Sequence, residues 1–479
     1  MTMPLTAPEC TAAQLRDSAP PHPASRPRAP PLRCDPAPGP KFRETALRRQ
    51  RGFQHDSEGT MPRLLIMKSW LPIPVSSHFS LKNIPFGIIS TASNVHHRPA
   101  VAVGEHVLDL SAFTSGAGFS KLAPELQSNT AVFAQPTLNA FAALGRPYHR
   151  AIRQYLQDVF REDTPYPELL QTNDTLRQTA LVALADAQTH LPLSIGDYTD
   201  FFAGRNHAFN VGTLFRGPAN ALQPNYNHLP VAYHGRASSV VVSGTPLRRP
   251  WGQALPAPGA TAPVFRPCAR LDIELEMGMF VCRGNALGAP VAVADAEYSI
   301  FGYGHMNDWS ERDIQSGSTA WVVLADALEP FRTRGLENET PLQPYLQEDR
   351  TDNILDVQLE VSVTTAKGHT TKLTKTSSKN LLWSWPQMLA HHTISGCNLR
   401  AGDLFGSGTV SGFDAGTHGS FLEQTQGGKV TIKLEGGEER KFVEDGDTIT
   451  ITGWAGSVEG ELVGFGECVG QILPAVARS

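Results

Sequence analysis

Four acidic residues, Asp200, Glu274, Glu276 and Asp308, carry the most informative chemistry in this 479-residue sequence. Glu274 and Glu276 stand two apart in a stretch, Leu271 to Met279, where apolar residues alternate with acids. Residues two apart in a strand share a face. The alternation predicts apolar side chains turned to a core, with Asp272, Glu274 and Glu276 together on the other face. Adjacent carboxylates repel unless a cation sits between them. Oxygen-only ligands suit Mg2+, Ca2+ or Mn2+ and not zinc. A solvated strand face would show the same alternation, so two further segments add the weight. Asp200 closes Asp197-Tyr198-Thr199-Asp200 in a stretch rich in glycine and aromatics, and Asp308 lies in Asn307-Asp308-Trp309, where a loop is expected. Together these acids predict a hard-cation site, whose use the charge pattern alone leaves open.

His207 follows Asp200 by seven residues, which makes a general base beside the metal physically sensible. Arg216, in Phe215-Arg216-Gly217, has the planar fork that grips a carboxylate with two hydrogen bonds. Tyr233-His234-Gly235-Arg236 and Ser407-Gly408-Thr409 are further polar clusters in glycine-rich loops. Each has a plainer reading: a structural histidine, a surface ion pair, ordinary turns. Other chemistries fit worse. There is no G-x-S-x-G elbow. The glycines of Gly464-Phe465-Gly466 and Gly406-Ser407-Gly408 lack the Lys-Ser/Thr of a P-loop and the strand–helix setting of a dinucleotide fold.

The elements that must position these residues are mostly strands. Residues 1–66 stand apart: they hold 12 of the 37 prolines and nine arginines, a composition that predicts disorder. Six acids and the helix-breaking prolines argue against a transit peptide, and Met67 reads as the natural start of the folded part. From there Gly87-Ile88-Ile89, Ala100-Val101-Ala102-Val103 and His106-Val107-Leu108 read as short strands. Pro147 opens a helix whose apolar face is Ile152, Tyr155, Leu156, Val159 and Phe160. Beyond about residue 193 the periodicity is two: Leu355 to Val363 alternates like 271–279, and Thr448 to Ile451 follows an Asp-Gly turn. Ser384-Trp385-Pro386 signals one helix. With no strand–helix repeat, the expectation is an α+β, β-rich protein: a small mixed domain over 67–192 and a β-roll or sandwich over 193–479. A net charge of −5 argues against nucleic acid as a partner. Six scattered cysteines without a C-x-x-C pair argue against a zinc knuckle or disulfide framework and for reduced thiols in an intracellular protein, and the expected localisation is cytoplasmic. No apolar run reaches the ~20 residues that span a bilayer.

The motifs also resemble a known family. Ile195-Gly196-Asp197-Tyr198-Thr199-Asp200-Phe201, His207, Phe215-Arg216-Gly217 and the run from Leu229 through Tyr233 to Ser239 are similar, in order, to the fumarylacetoacetate hydrolase family. So are Leu271 to Met277, Met306-Asn307-Asp308 through Arg312 and Gln315, Ser407-Gly408-Thr409, and Gly419 to Glu423. The resemblance covers nearly all of 67–479. It implies a homodimer with an SH3-like N-terminal domain and a larger catalytic β-roll. It implies hydrolysis of 4-fumarylacetoacetate to fumarate and acetoacetate, the last step of tyrosine and phenylalanine catabolism. It further implies that Asp200, Glu274, Glu276 and Asp308 bind Ca2+ or Mg2+ and that His207, oriented by Glu423, activates water. Arg216, Tyr233, Thr409, Gln315 and the position of Phe202 would bind substrate, and Arg312 and Gln315 would stabilise the oxyanion.

Two positions depart from the family. Phe202 stands where the family has tyrosine, which removes one hydroxyl. After Gln315 the family continues through a segment with a second substrate tyrosine and an oxyanion lysine, whereas here Ser316-Gly317-Ser318-Thr319-Ala320 leads straight to Trp321. One oxyanion donor is worth about 2.7–4 kcal/mol. The clean edges suit a sequence-level excision, like the unusual residues 1–66. The alternatives are a related acylpyruvate or diketo-acid hydrolase and a catalytically impaired, metal-binding paralogue.

Overall fold

The computed structural model describes residues 67–477, except 257–259, 311–316, 319 and 459–460. The expectations for residues 1–66, Arg312 and Gln315 therefore lie outside the described residues.

The first strands fall where short apolar runs meet turn residues: β1 (Phe86–Thr91), β2 (Asn94–Val103) and β3 (His106–Asp109). Helix α1 (Arg146–Phe160) buries the stripe read from its sequence, including Ile152, Leu156, Val159 and Phe160. The elements around the candidate site follow: β4 (Tyr198–Phe201), α2 (Arg205–Arg216), β5 (Ala232–His234), β6 (Leu275–Val281), β7 (Ile300–Asn307) and β8 (Trp321–Leu324). The chain closes with β9 (Gln358–Thr364), β10 (Thr370–Ser377), α3 (Trp385–Ile394), β11 (Leu404–Gly406), the single-turn α4 (Phe421–Gln424), β12 (Thr448–Ala455) and β13 (Val463–Leu473). The Ser384 signal is a full capping box, with Ser384 and Gln387 each bonding the other's backbone.

One large sheet runs in the order Leu181–Ala183, β3, β2, β1, β8, β7, β6, β11, β4, β5. Strands from before and after residue 193 share it, through Phe86 opposite Val322 on β1 and β8. A second sheet contains β10, β9, β12 and β13 side by side. Its strand β9 buries Leu359, Val361 and Val363 and leaves the residues between half-exposed, as alternation requires. These side chains share a core with Met277 and Met279 of β6. The other face of the large sheet is covered by helices: Phe280 shares a core with Phe86, Phe141 and α1. The architecture is thus α+β and β-rich, as the periodicity predicts.

The 271–279 stretch differs from its expectation in two ways. The strand begins at Leu275, because Asp272 pairs with Ser310 as an isolated bridge and its carboxylate accepts from the Phe421 and Leu422 amides at 2.8 and 2.9 Å. Asp272 therefore anchors the first turn of α4 and does not join the carboxylate face. In addition, β6 is buried on both faces, so Glu276 looks into the protein and not into solvent.

Candidate active site

Sheet register assembles the acids. Asp200 near the end of β4 lies opposite Gly406 on parallel β11 and opposite Tyr233 on antiparallel β5. Across β11, Gly406 faces Gly278 of β6, two residues from Glu276. Asp308 follows β7 directly, and its amide donates to the Glu274 carbonyl at 3.0 Å. Asp200, Glu276 and Asp308 each offer a carboxylate oxygen within 4.8 Å of the others, and all three are buried.

The surroundings fit a cation. Asp200 Oδ1 and Glu276 Oε1 are buried without a hydrogen-bond partner among the described residues. A Cβ on Gly406 would come within 2.7 Å of Asp200 Oδ1 and 2.8 Å of Glu276 Oε2, so glycine keeps this space open. Burial pushes the Asp200 carboxyl well above its ordinary range, and the charges of Asp308 and Glu274 add to it. Burial and the same neighbours do likewise to Glu276. A buried trio of carboxylates fits the donor set of a hard divalent ion. The amide of Gly408 donates to Glu276 Oε2 at 3.2 Å, and the Tyr233 hydroxyl to Asp308 Oδ2 at 3.3 Å. Glu274, partly exposed, stands outside this trio and lies toward His207: its Oε1 is 3.8 Å from His207 Nε2.

His207 sits in the first turn of α2 and is 2% exposed. Its Nδ1 lies 2.7 Å from Glu423 Oε2. A carboxylate in that place accepts a hydrogen bond from Nδ1–H and so fixes the tautomer that leaves Nε2 as the basic nitrogen. Burial pushes Glu423 up, but the charge and hydrogen bond of His207, with bonds from Asn210 and Ser420, outweigh it and hold the acid at about 2. The Phe202 ring stands edge-on to the imidazole, 5.6 Å between centroids.

A cavity of about 840 Å3 joins these groups, lined by Asp200, Phe202, His207, Tyr233, Glu274, Glu276, Asp308 and Thr409. Arg216 is exposed and does not line it: its guanidinium donates to the Asn220 and Ala221 carbonyls at 3.0 and 2.6 Å, closing the end of its own helix. Three residues not singled out from the sequence hold Glu423: Asn210, Ser411 and Ser420. Asn210 was accessible by its spacing, three residues after His207 on one helix. Ser420 was accessible as the cap of a Ser-x-x-Glu turn. Nothing local marks Ser411.

The β-rich α+β fold and a His–Glu pair facing a buried carboxylate trio fit the class of hydrolases, with a candidate hard-cation site. Two family models match, fumarylacetoacetase N-terminal over residues 82–192 and fumarylacetoacetate hydrolase C-terminal over 198–472. The chain belongs to the fumarylacetoacetate hydrolase family. It is 58% identical over 430 residues to a fumarylacetoacetase of Aspergillus fumigatus, covering 86% of this chain and 99% of that one. It is 42% identical over 432 residues to the fumarylacetoacetase of Homo sapiens, covering 86% and 100%. Among solved structures, maleylpyruvate hydrolase from Sphingobium aligns over 82% of this chain and all of its own, at 14% identity and a TM-score of 0.45.

Proposed function

We propose that the protein hydrolyses the carbon–carbon bond of 4-fumarylacetoacetate, giving fumarate and acetoacetate at the end of tyrosine and phenylalanine catabolism. The observation that carries this reading is the His207–Glu423 pair opening onto the same cavity as the Asp200–Glu276–Asp308 trio. Its high identity to fumarylacetoacetases over nearly their whole length supports this substrate over another diketo acid or an impaired paralogue.

Asp200, Glu276 and Asp308, with Glu274 beside them, would hold Ca2+ or Mg2+. Such an ion supplies Lewis acidity to the oxygens of a diketone. His207, its Nδ1–H donating to Glu423, accepts a proton at Nε2 from water as the oxygen adds to the ketone carbon of the fumaryl part. Collapse of the adduct breaks the C–C bond, the fumaryl carbon becomes a carboxylate, and the acetoacetate carbon takes a proton. Thr409 and, on turning from Asp308, Tyr233 bring hydroxyls to the substrate, and Phe202 supplies an apolar wall beside the base. Arg216 is assigned a substrate carboxylate, which it meets by turning from the carbonyls of its helix end. Arg312 and Gln315 are assigned the oxyanion. We read the enzyme as a cytoplasmic homodimer whose 67–192 portion is SH3-like and whose 193–479 portion is the catalytic β-roll. Following loss of the diketone absorbance with and without added Ca2+ or Mg2+ tests the reading; a protein that binds the ion but leaves the diketone intact overturns it.

A further inference from the structure

We propose that Asn210 is a positioning residue for the base, holding the second oxygen of Glu423 so that this carboxylate keeps His207 in one orientation. The proposal rests on the reading of His207 as the base.

The Glu423 side chain is fully buried. Its Oε2 collects three donors: His207 Nδ1 at 2.7 Å, Ser411 Oγ at 2.8 Å and Ser420 Oγ at 2.8 Å. Its Oε1 takes one described side-chain donor, Asn210 Nδ2 at 2.9 Å. With donors only at Oε2, the carboxylate could pivot about that oxygen and carry the imidazole with it. A hydrogen bond at Oε1 fixes the plane. The amide must present its nitrogen, since its oxygen would repel the carboxylate. Asn210 also lies on α2 three residues beyond His207, on the same helix face. The ring and the group that steadies its partner therefore move as one body. Ser411 is tied separately, because its hydroxyl also accepts from the Gly419 amide at 2.9 Å.

A residue that acts only through Glu423 leaves a signature that a merely structural residue does not. The experiment measures kcat and KM on fumarylacetoacetate, and Ca2+ affinity by calorimetry, for wild type, Asn210→Ala, Asn210→Asp, Glu423→Gln, His207→Ala and the Asn210→Ala/Glu423→Gln double variant. Loss of a hydrogen bond to a buried charge lowers kcat roughly 10- to 100-fold in Asn210→Ala. KM and Ca2+ affinity stay within about two-fold, because neither contact is touched. In the Glu423→Gln background, Asn210→Ala causes no further loss. Asn210→Asp preserves the shape without the donor and falls at least as far, so the test survives if the alanine variant folds poorly. Wild-type kcat in both Asn210 variants, or losses that multiply in full with Glu423→Gln, overturns the proposal. Wild-type turnover in His207→Ala overturns the base assignment and the Asn210 proposal with it. A dead His207→Ala beside unaffected Asn210 variants overturns the Asn210 proposal alone.

Discussion

At Glu423, burial and charge pull in opposite directions, and charge wins: the acid is held at about 2 by His207 and its other donors. A carboxyl whose folded pKa is depressed stabilises the protein above its unfolded value of about 4.3, and that contribution disappears as pH falls toward 2. Glu423→Gln should therefore flatten the acid limb of the stability curve over that window, measured by denaturant midpoints. The same variant leaves His207 without the anion that selects its tautomer, and turnover should fall by roughly 10^3- to 10^4-fold. A steady-state assay at neutral pH checks this, and activity within ten-fold of wild type would contradict it. The acids and His207 were legible because their types and spacing restrict the chemistry. Arg216 is less direct: its sequence context suggests a carboxylate clamp, and its guanidinium rests on the Asn220 and Ala221 carbonyls at the helix end, from which it must turn to meet a substrate.

Strand register, not the loops themselves, brings the acids together. Asp200, Gly406 and Gly278 are neighbours across β4, β11 and β6, although more than a hundred residues separate each from the next in strand order. The alternation of β9 and the capping box of α3 could be read locally; strand order could not, because nothing local encodes which strand lies beside which. That is also why Asp272 was placed on the carboxylate face, when it anchors α4 instead. Gly406→Ala sets a methyl group against Asp200 and Glu276, and should lower divalent-ion affinity at least ten-fold by calorimetry, as displaced ligands usually do. Unchanged affinity would show that the cradle is looser than its geometry. Away from the site, Arg146 of α1 donates to Asp326 and Glu329 at 2.9 and 2.7 Å, tying the helix to the segment after β8. Arg146→Met removes one of the two arginines that hold Asp326, while Arg150 still pairs with it at 2.9 Å, and should cost about 1–3 kcal/mol. Thermal unfolding checks it, with activity per folded molecule unchanged.

For the molecule as a whole, the buried trio is a destabilising charge cluster unless a cation offsets it. Without an ion, the raised Asp200 and Glu276 hold protons that the unfolded chain releases above about pH 4. Stability is then lost as pH rises through their raised values, the reverse of Glu423. In EDTA the melting temperature should decline from pH 5 to pH 8, and Ca2+ should remove most of that decline. Identical pH curves with and without the ion would contradict the assignment. Among the described residues no helix is long and apolar enough to cross a membrane. The β-rich class was legible from the period-two patterns, while the sharing of one sheet by strands before and after residue 193 was not, because β1 and β8 meet only in the folded chain. The most direct test of the central claim is product analysis of 4-fumarylacetoacetate incubated with the purified protein. Fumarate and acetoacetate should appear in equal amounts, cease on chelation and return with Ca2+ or Mg2+; an ion-loaded, folded protein that releases neither product would contradict the account.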